Sequence, residues 1–283
     1  MGRFSHVLLV TDFDNTLVDT RSALEAGLSD VPPMCERNRR ALAAFTSEGG
    51  LFAVSTGRAL PAFSRYAHTL PLTAPCVIAN GAGLYDFRTN EYVATAFLGE
   101  DIRPHVAQLL ERFPALPFEI YHTDRRIHAM HPNAYIYSHE HLTRTKIEVT
   151  EDFGTVDFPL VKLLFEDERE RLEELRAYIR AQDWADRYEL IFSSDNLLEL
   201  TARSATKGAM VLRLAELLGV ERGDIFCIGD HANDISMAEI SAMRFCPANA
   251  IDAMKALPDM RVVSRCADGA VADVAEALMA RCR

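Results

Sequence analysis

Four carboxylates stand directly after short apolar runs. Val7–Val10 is followed by Asp12 and Asp14 in TDFDNT, and IFCI at 225–228 by Asp230 and Asp234 in GDHAND. A third apolar run, LFAV at 51–54, leads into Ser55, Thr56, Gly57 and Arg58. Asp12 and Asp14 are two apart in an extended segment, so both side chains point to one side. Like charges that close repel unless a cation lies between them or one takes a proton. With Asp230 and Asp234 the set becomes four carboxylates, a donor set suited to oxygen-ligated Mg²⁺. Lys207 is the counterweight. SATKGAM reads as the start of a helix capped by Thr206, and helix starts attract phosphate groups. A lysine, a hydroxyl and a hard cation around a carboxylate nucleophile are the parts that phosphoryl transfer needs. Between the two hydroxyls, Thr56 is preferred to Ser55 because it directly precedes Gly57-Arg58.

The elements that must position these groups follow from the apolar pattern. Short continuous apolar runs are typical of strands buried on both faces of a parallel sheet. They occur at 7–10, 51–54 and 76–80, separated by helical stretches at 35–48, closed by Gly49-Gly50, and from about 59 onwards. This alternation predicts an α/β fold with a Rossmann-like, doubly wound parallel sheet. Ligands of such sheets bind beyond the carboxyl ends of the strands, where the carboxylates lie. From about 85 to 200 the rhythm changes to hairpins and longer helices, with FEIYH and RIHAM as paired strands and a charged helix near 167–182. After Lys207 the alternation returns. The expected organisation is a discontinuous core of residues 1–84 and 201–283, with an inserted α/β cap at 85–200. Hinges are expected near Gly81–Gly83 and Thr201–Ser204.

Composition excludes several partners. The 283 residues are 49% hydrophobic and 25% charged, ample for a buried core. The formal charge of −11 repels phosphate backbones and anionic lipid, so neither nucleic acid nor a membrane is expected as a partner. No apolar run approaches the ~18 residues of a membrane span, and the start does not read as a signal peptide. Cys35, Cys76, Cys227, Cys246, Cys266 and Cys282 show no zinc-like spacing. A reduced, cytoplasmic enzyme is the expectation; oligomeric state is not legible.

DFDNT, STGR, TKG and GDHAND, in this order, resemble the four motifs of the haloacid dehalogenase superfamily of phosphatases. An insertion after the VIANGA strand is similar to the Cof-type and sucrose-phosphatase-like branch, whose members carry a large α/β cap. The likeness covers close to 170 residues of the two flanks. It implies that Asp12 is the nucleophile and Asp14 the acid and base. Thr56 and Lys207 would hold the phosphoryl oxygens. The Asp12 side chain, the Asp14 backbone carbonyl and Asp230 would bind Mg²⁺, with Asp234 a further ligand or the orienter of Lys207. Asn233 matches the GDxxND pattern, and Arg58, Asn80 and Asn233 are candidate substrate contacts. Asn15 stands where many relatives have Gly. The implied activity is hydrolysis of a small phosphorylated metabolite, a sugar phosphate on resemblance alone. The rivals are a phosphomutase of the same superfamily and a non-catalytic binder of a phosphometabolite.

Other groups have plainer expectations. His122, His128, His131, His139 and His141 fit no zinc spacing and are expected on the surface. EDERERLEELRAYIR mixes both signs and should be a solvated helix with i,i+4 pairs. Trp184 should serve local packing.

Overall fold

The computed structural model describes residues 2–28 and 30–281; Cys282 lies outside them. Its strands are β1 (Leu8–Thr11), β2 (Leu51–Val54), β3 (Cys76–Ile78), β4 (Gly83–Asp86), β5 (Glu91–Thr95), β6 (Phe118–His122), β7 (Ile127–Met130), β8 (Glu148–Val149), β9 (Leu160–Glu166), β10 (Tyr188–Ser194), β11 (Leu197–Ala202), β12 (Ile225–Ile228), β13 (Arg244–Pro247) and β14 (Arg261–Val263). Three sheets result. The first is parallel, in the order β14-β13-β12-β1-β2.

Alternate residues of β1 explain why helices cover both faces of this sheet. Leu9 packs with Leu42 and Phe45 of helix Glu36–Ser47 and with Val271, Val274 and Leu278 of helix Ala270–Arg281. Leu8 and Val10 face the other way, onto Met210, Val211 and Leu214 of helix Lys207–Leu218. A strand buried on both sides must be apolar at every position, as LLV is. The expected doubly wound fold is thus observed, and the helices at 35–48 and 207–218 fall where the pattern puts them.

Beyond β2, a bridge between Ser55 and Val77 brings in β3, which starts the antiparallel sheet β3-β4-β5. The third sheet runs β10-β11-β9-β6-β7-β8. Helices Arg103–Arg112 and Arg169–Arg180 cover one of its faces, with Val106, Leu109, Leu172 and Leu175 against Ile120, Leu163, Phe165 and Leu198. Residues of the opposite parity, Tyr121, Lys162, Leu164, Leu197 and Glu199, line a cavity shared with the ends of β1, β2 and β12. The charged helix pairs Arg169 with Glu173 at 2.7 Å on its wet side, as expected. Trp184 is buried, stacks on His105 at 4.6 Å and donates from Nε1 to Gln108. No helix among the described residues is long and apolar enough to cross a membrane.

Candidate active site

The parallel register brings the chemistry together. Thr11 stands opposite Ile228 and Val54, so β1, β12 and β2 end level with one another. The chain leaving β1 stays tied to β12, because Asp12 N donates to Ile228 O at 2.9 Å. Asp12, Asp14 and Asp230 then face one cavity of ≈ 420 Å³, together with Arg58, His231 and Asn233.

Lys207 is the electrostatic centre. It is the first residue of its helix, behind the Thr206 cap, whose hydroxyl accepts from Ala209 N at 3.1 Å. Its Nζ donates to Asp12 Oδ1 at 2.7 Å and to Asp234 Oδ1 at 2.6 Å, with all three groups buried. Asp234 spends its other oxygen on the backbone N–H groups of Asp230 and His231. Both of its oxygens are therefore engaged in orienting Lys207 and shaping the loop. Two glycines make this closeness possible. A Cβ on Gly208 would lie 2.2 Å from Ser236 O, and one on Gly229 would lie 2.4 Å from Asp234 Cβ.

Burial, and then the neighbouring carboxylates against the opposing pull of Lys207, push the Asp12 pKa well above its ordinary value. Burial and Asp234 push Asp230 up to about 7. Asp14 goes the other way: burial would raise it, but the Arg58 guanidinium and the Thr20 hydroxyl hold it below its usual range. Arg58 forks onto Asp14 at 2.8 and 2.7 Å and lies 5.4 Å from the ring centres of Phe13 and of Tyr66. Four carboxylates are met by two cations, Lys207 and Arg58, which leaves two negative charges unmatched. Asp12, Asp230 and Asp234 offer oxygens within 4.8 Å of one another. Buried like charges this close are stable only with a cation or a proton, so this donor set fits a divalent ion.

The remaining sequence candidates divide. Asn233 donates to Asn80 Oδ1 at 2.9 Å, and Asn80 is fully buried, in the left-handed region at φ 55°. That pair ties the β3–β4 turn to the GDHAND loop; Asn233 lines the cavity and Asn80 stands behind its wall. The buried Thr56 hydroxyl accepts from Arg58 N at 3.1 Å. Asn15 has φ 59°, a conformation that suits Gly or Asn, which explains the departure at this position. Sequence reasoning missed Thr16, which donates to Asp230 at 3.2 Å, and Thr20, which donates to Asp14 at 2.6 Å. Thr16 lay inside the DFDNT motif; Thr20 left no signal.

The expectation of surface histidines is corrected at two positions. His122 is buried and shares a 2.8 Å hydrogen bond with His128. His139 is held between Glu119 and Glu166. Linear spacing could not show this, because the partners come from two strands and a helix.

A family model described as haloacid dehalogenase-like hydrolase matches residues 9–274. The chain belongs to the haloacid dehalogenase-like hydrolases. Relatives within reach agree with this hydrolase family. The chain is 30% identical over 253 residues to YxeH of Bacillus subtilis (strain 168), whose name proposes a phosphatase; the match covers 86% of this chain and 88% of that one. It is 24% identical over 270 residues to the 5-amino-6-(5-phospho-D-ribitylamino)uracil phosphatase YwtE of the same organism, covering 87% and 89%. The structure of the HAD subclass IIB sugar phosphatase BT4131 superposes with a TM-score of 0.79 at 18% identity, covering 96% of this chain and 99% of that one, which shows a shared fold. The resemblance read from the four motifs is thereby borne out.

Proposed function

We propose that this hydrolase is a Mg²⁺-dependent phosphatase acting on small phosphorylated metabolites, sugar phosphates first among them, through an aspartyl-phosphate. The observation that carries the reading is the buried Lys207 bridge between Asp12 and Asp234, with Asp14 two residues further on in the same cavity. A lysine at that place aims the Asp12 carboxylate and opposes the burial that favours its protonated form, as a nucleophile requires. The names of YxeH, YwtE and BT4131 support a phosphoester substrate.

An Asp12 oxygen attacks phosphorus while the bond from phosphorus to the leaving oxygen breaks, and Asp14, after taking up a proton from solvent, gives that proton to the leaving oxygen. Asp14 then takes a proton from water. The water oxygen attacks phosphorus, the Asp12–phosphorus bond breaks, and inorganic phosphate leaves. Lys207 and the Thr56 hydroxyl take phosphoryl oxygens. Arg58 stabilises the ionised form of Asp14, the form that takes the proton of the attacking water. The side chains of Asp12 and Asp230 and the backbone carbonyl of Asp14 would hold Mg²⁺, which supplies charge neutralisation around the phosphoryl oxygens.

In the same proposal residues 1–84 and 201–283 form the catalytic core and 85–200 the cap, with the β4–β5 hairpin as its stem. The cap closes the cavity from above, excludes water during attack and opens for release. Lys162 Nζ, donating to Gly57 O at 3.2 Å, supports such a docked arrangement. A cytoplasmic location accords with the free thiols of the five described cysteines.

The test is phosphate release from a panel of sugar phosphates and an aryl phosphate, with Mg²⁺ or a chelator. Turnover with Mg²⁺ that the chelator removes, and that falls at least about a thousandfold in Asp12→Asn, is expected. A folded, metal-supplied chain without turnover on any phosphoester would overturn the reading.

A further inference from the structure

A second cluster lies apart from the catalytic carboxylates and shares no residue with them. Glu119 on β6, Glu166 on β9 and His139 on helix Ala134–Thr143 each offer one donor atom, all within 4.8 Å of one another. We propose that these three side chains bind a divalent transition-metal ion of the Mn²⁺ or Zn²⁺ type.

The distances suit an ion. His139 Nδ1 lies 3.2 Å from Glu119 Oε2 and 2.9 Å from Glu166 Oε1. Donor atoms around an ion at about 2.1 Å are about 3 to 3.5 Å apart in tetrahedral or octahedral geometry. The mixture of one imidazole with two carboxylates favours Zn²⁺ or Mn²⁺ over Mg²⁺, which prefers oxygen alone.

A second, independent observation comes from the atoms left over. Glu119 Oε1 and Glu166 Oε2 are buried with no hydrogen-bond partner, and both side chains are almost wholly inaccessible. The bridging imidazole answers one carboxylate, and Glu119 and Glu166 also approach each other closely enough to share a proton, so the buried pair needs a proton or a cation between them. A bound ion in place of the His139 proton gives both carboxylates a counter-charge. Tyr121 donates its hydroxyl to Glu119 Oε2 at 2.5 Å, the outer support that ligating carboxylates commonly have. An entry path exists, because His139 lines the central cavity. On binding, the Nδ1 proton of His139 goes to solvent and the nitrogen lone pair to the ion; nothing is oxidised or reduced. The ion would tie two strands of the six-stranded sheet to the helix that roofs the cavity.

Mn²⁺ titration followed by the electron paramagnetic resonance of the free ion tests this on the native chain and on three variants. The native chain should take two equivalents. Asp230→Asn should weaken the one at the catalytic carboxylates and keep the other. His139→Gln and Glu166→Gln should each weaken the second by at least about tenfold while keeping the catalytic one. Native binding of the second equivalent should also release a proton. A second equivalent that survives both substitutions, or none in the native chain, overturns the proposal. If either variant misfolds by circular dichroism, anomalous diffraction from Mn²⁺-soaked native crystals decides. A peak among the three side chains supports the site, and its absence there overturns it.

Discussion

Arg58 donates to both oxygens of Asp14, at 2.8 and 2.7 Å, while Thr20 donates to the same carboxylate at 2.6 Å. The arrangement favours the ionised form, the one that accepts a proton from water in the second half of the proposed reaction. Removing the guanidinium favours the protonated form, so the Asp14 pKa should rise in Arg58→Ala. The ionised base is then available only at higher pH. The acidic limb of the kcat–pH profile should therefore move towards neutrality in Arg58→Ala; an unmoved limb would detach Arg58 from Asp14's titration. Lys207 belongs to the same scale. Lys207→Met strands Asp12 and Asp234 together in a buried site. A loss of about 3–5 kcal/mol is expected for an uncompensated buried pair, read from denaturant unfolding in the presence of a chelator. Asp12, Asp14, Asp230 and Lys207 were legible in the sequence because each follows a strand or opens a helix within a recognisable motif. The role of Arg58 was not, because the fork onto Asp14 depends on a turn that places residues 44 apart side by side.

Helix Lys207–Leu218 and the short helix Ile235–Ile240 approach closely only because Gly208 has no side chain. Gly208→Ala puts a methyl carbon 2.2 Å from Ser236 O, a backbone atom that cannot step aside without moving its helix. We expect a cost of about 1–3 kcal/mol or more, with Lys207 displaced and kcat lowered more than KM is raised. Thermal melting and steady-state kinetics on the same variant check both halves. A variant as stable and active as the native chain would remove the packing account of this glycine. At the scale of elements the sequence was informative where burial was two-sided. The runs at β1, β2 and β12 are apolar throughout and bounded by motif residues, so their type and place could be read. Strand β9, LVKLLFE, carries no clean alternation and was not foreseen. Its Lys162 is buried against Glu199 at 2.8 Å, an internal charge within the strand. Helix Ala134–Thr143 was hidden for a related reason: its His139 is committed to carboxylates that come from other strands.

Lys162 also matters for the molecule as a whole, since it reaches from the six-stranded sheet to Gly57 O beside the catalytic end of the parallel sheet. Cutting that link leaves Glu199 buried without its partner. Lys162→Met should cost about 3–5 kcal/mol, and adding Glu199→Gln should return part of it. Denaturant unfolding of the single and double variants measures this; a double variant less stable than the sum of the single losses would contradict the pairing. An ion pair across the cavity is exposed by contrast. Asp30 of the first sheet's loops meets Arg144 at 2.8 Å with both side chains largely in water. Such a pair contributes at most about 1 kcal/mol and is weakened by salt. A buried apolar cluster joins the same two regions, with Ala59, Ala79, Ala82 and Ala205 packed among Tyr121, Ile127, Val161 and Leu164. The proposed division into core and cap rests on the change of rhythm near residue 85. The contacts that join the two regions could not be read in the same way, since both the Lys162 link and the apolar cluster bring together residues distant in sequence.

The central claim is that Asp12 carries the phosphoryl group during turnover. Mass spectrometry of peptides from chain quenched in acid during Mg²⁺-supported turnover of a sugar phosphate tests it most directly. The account predicts one phosphoryl group on the peptide bearing Asp12, transient in the native chain and absent in Asp12→Asn. Steady release of phosphate with that peptide never modified, and with Asp12→Asn still active, would contradict it.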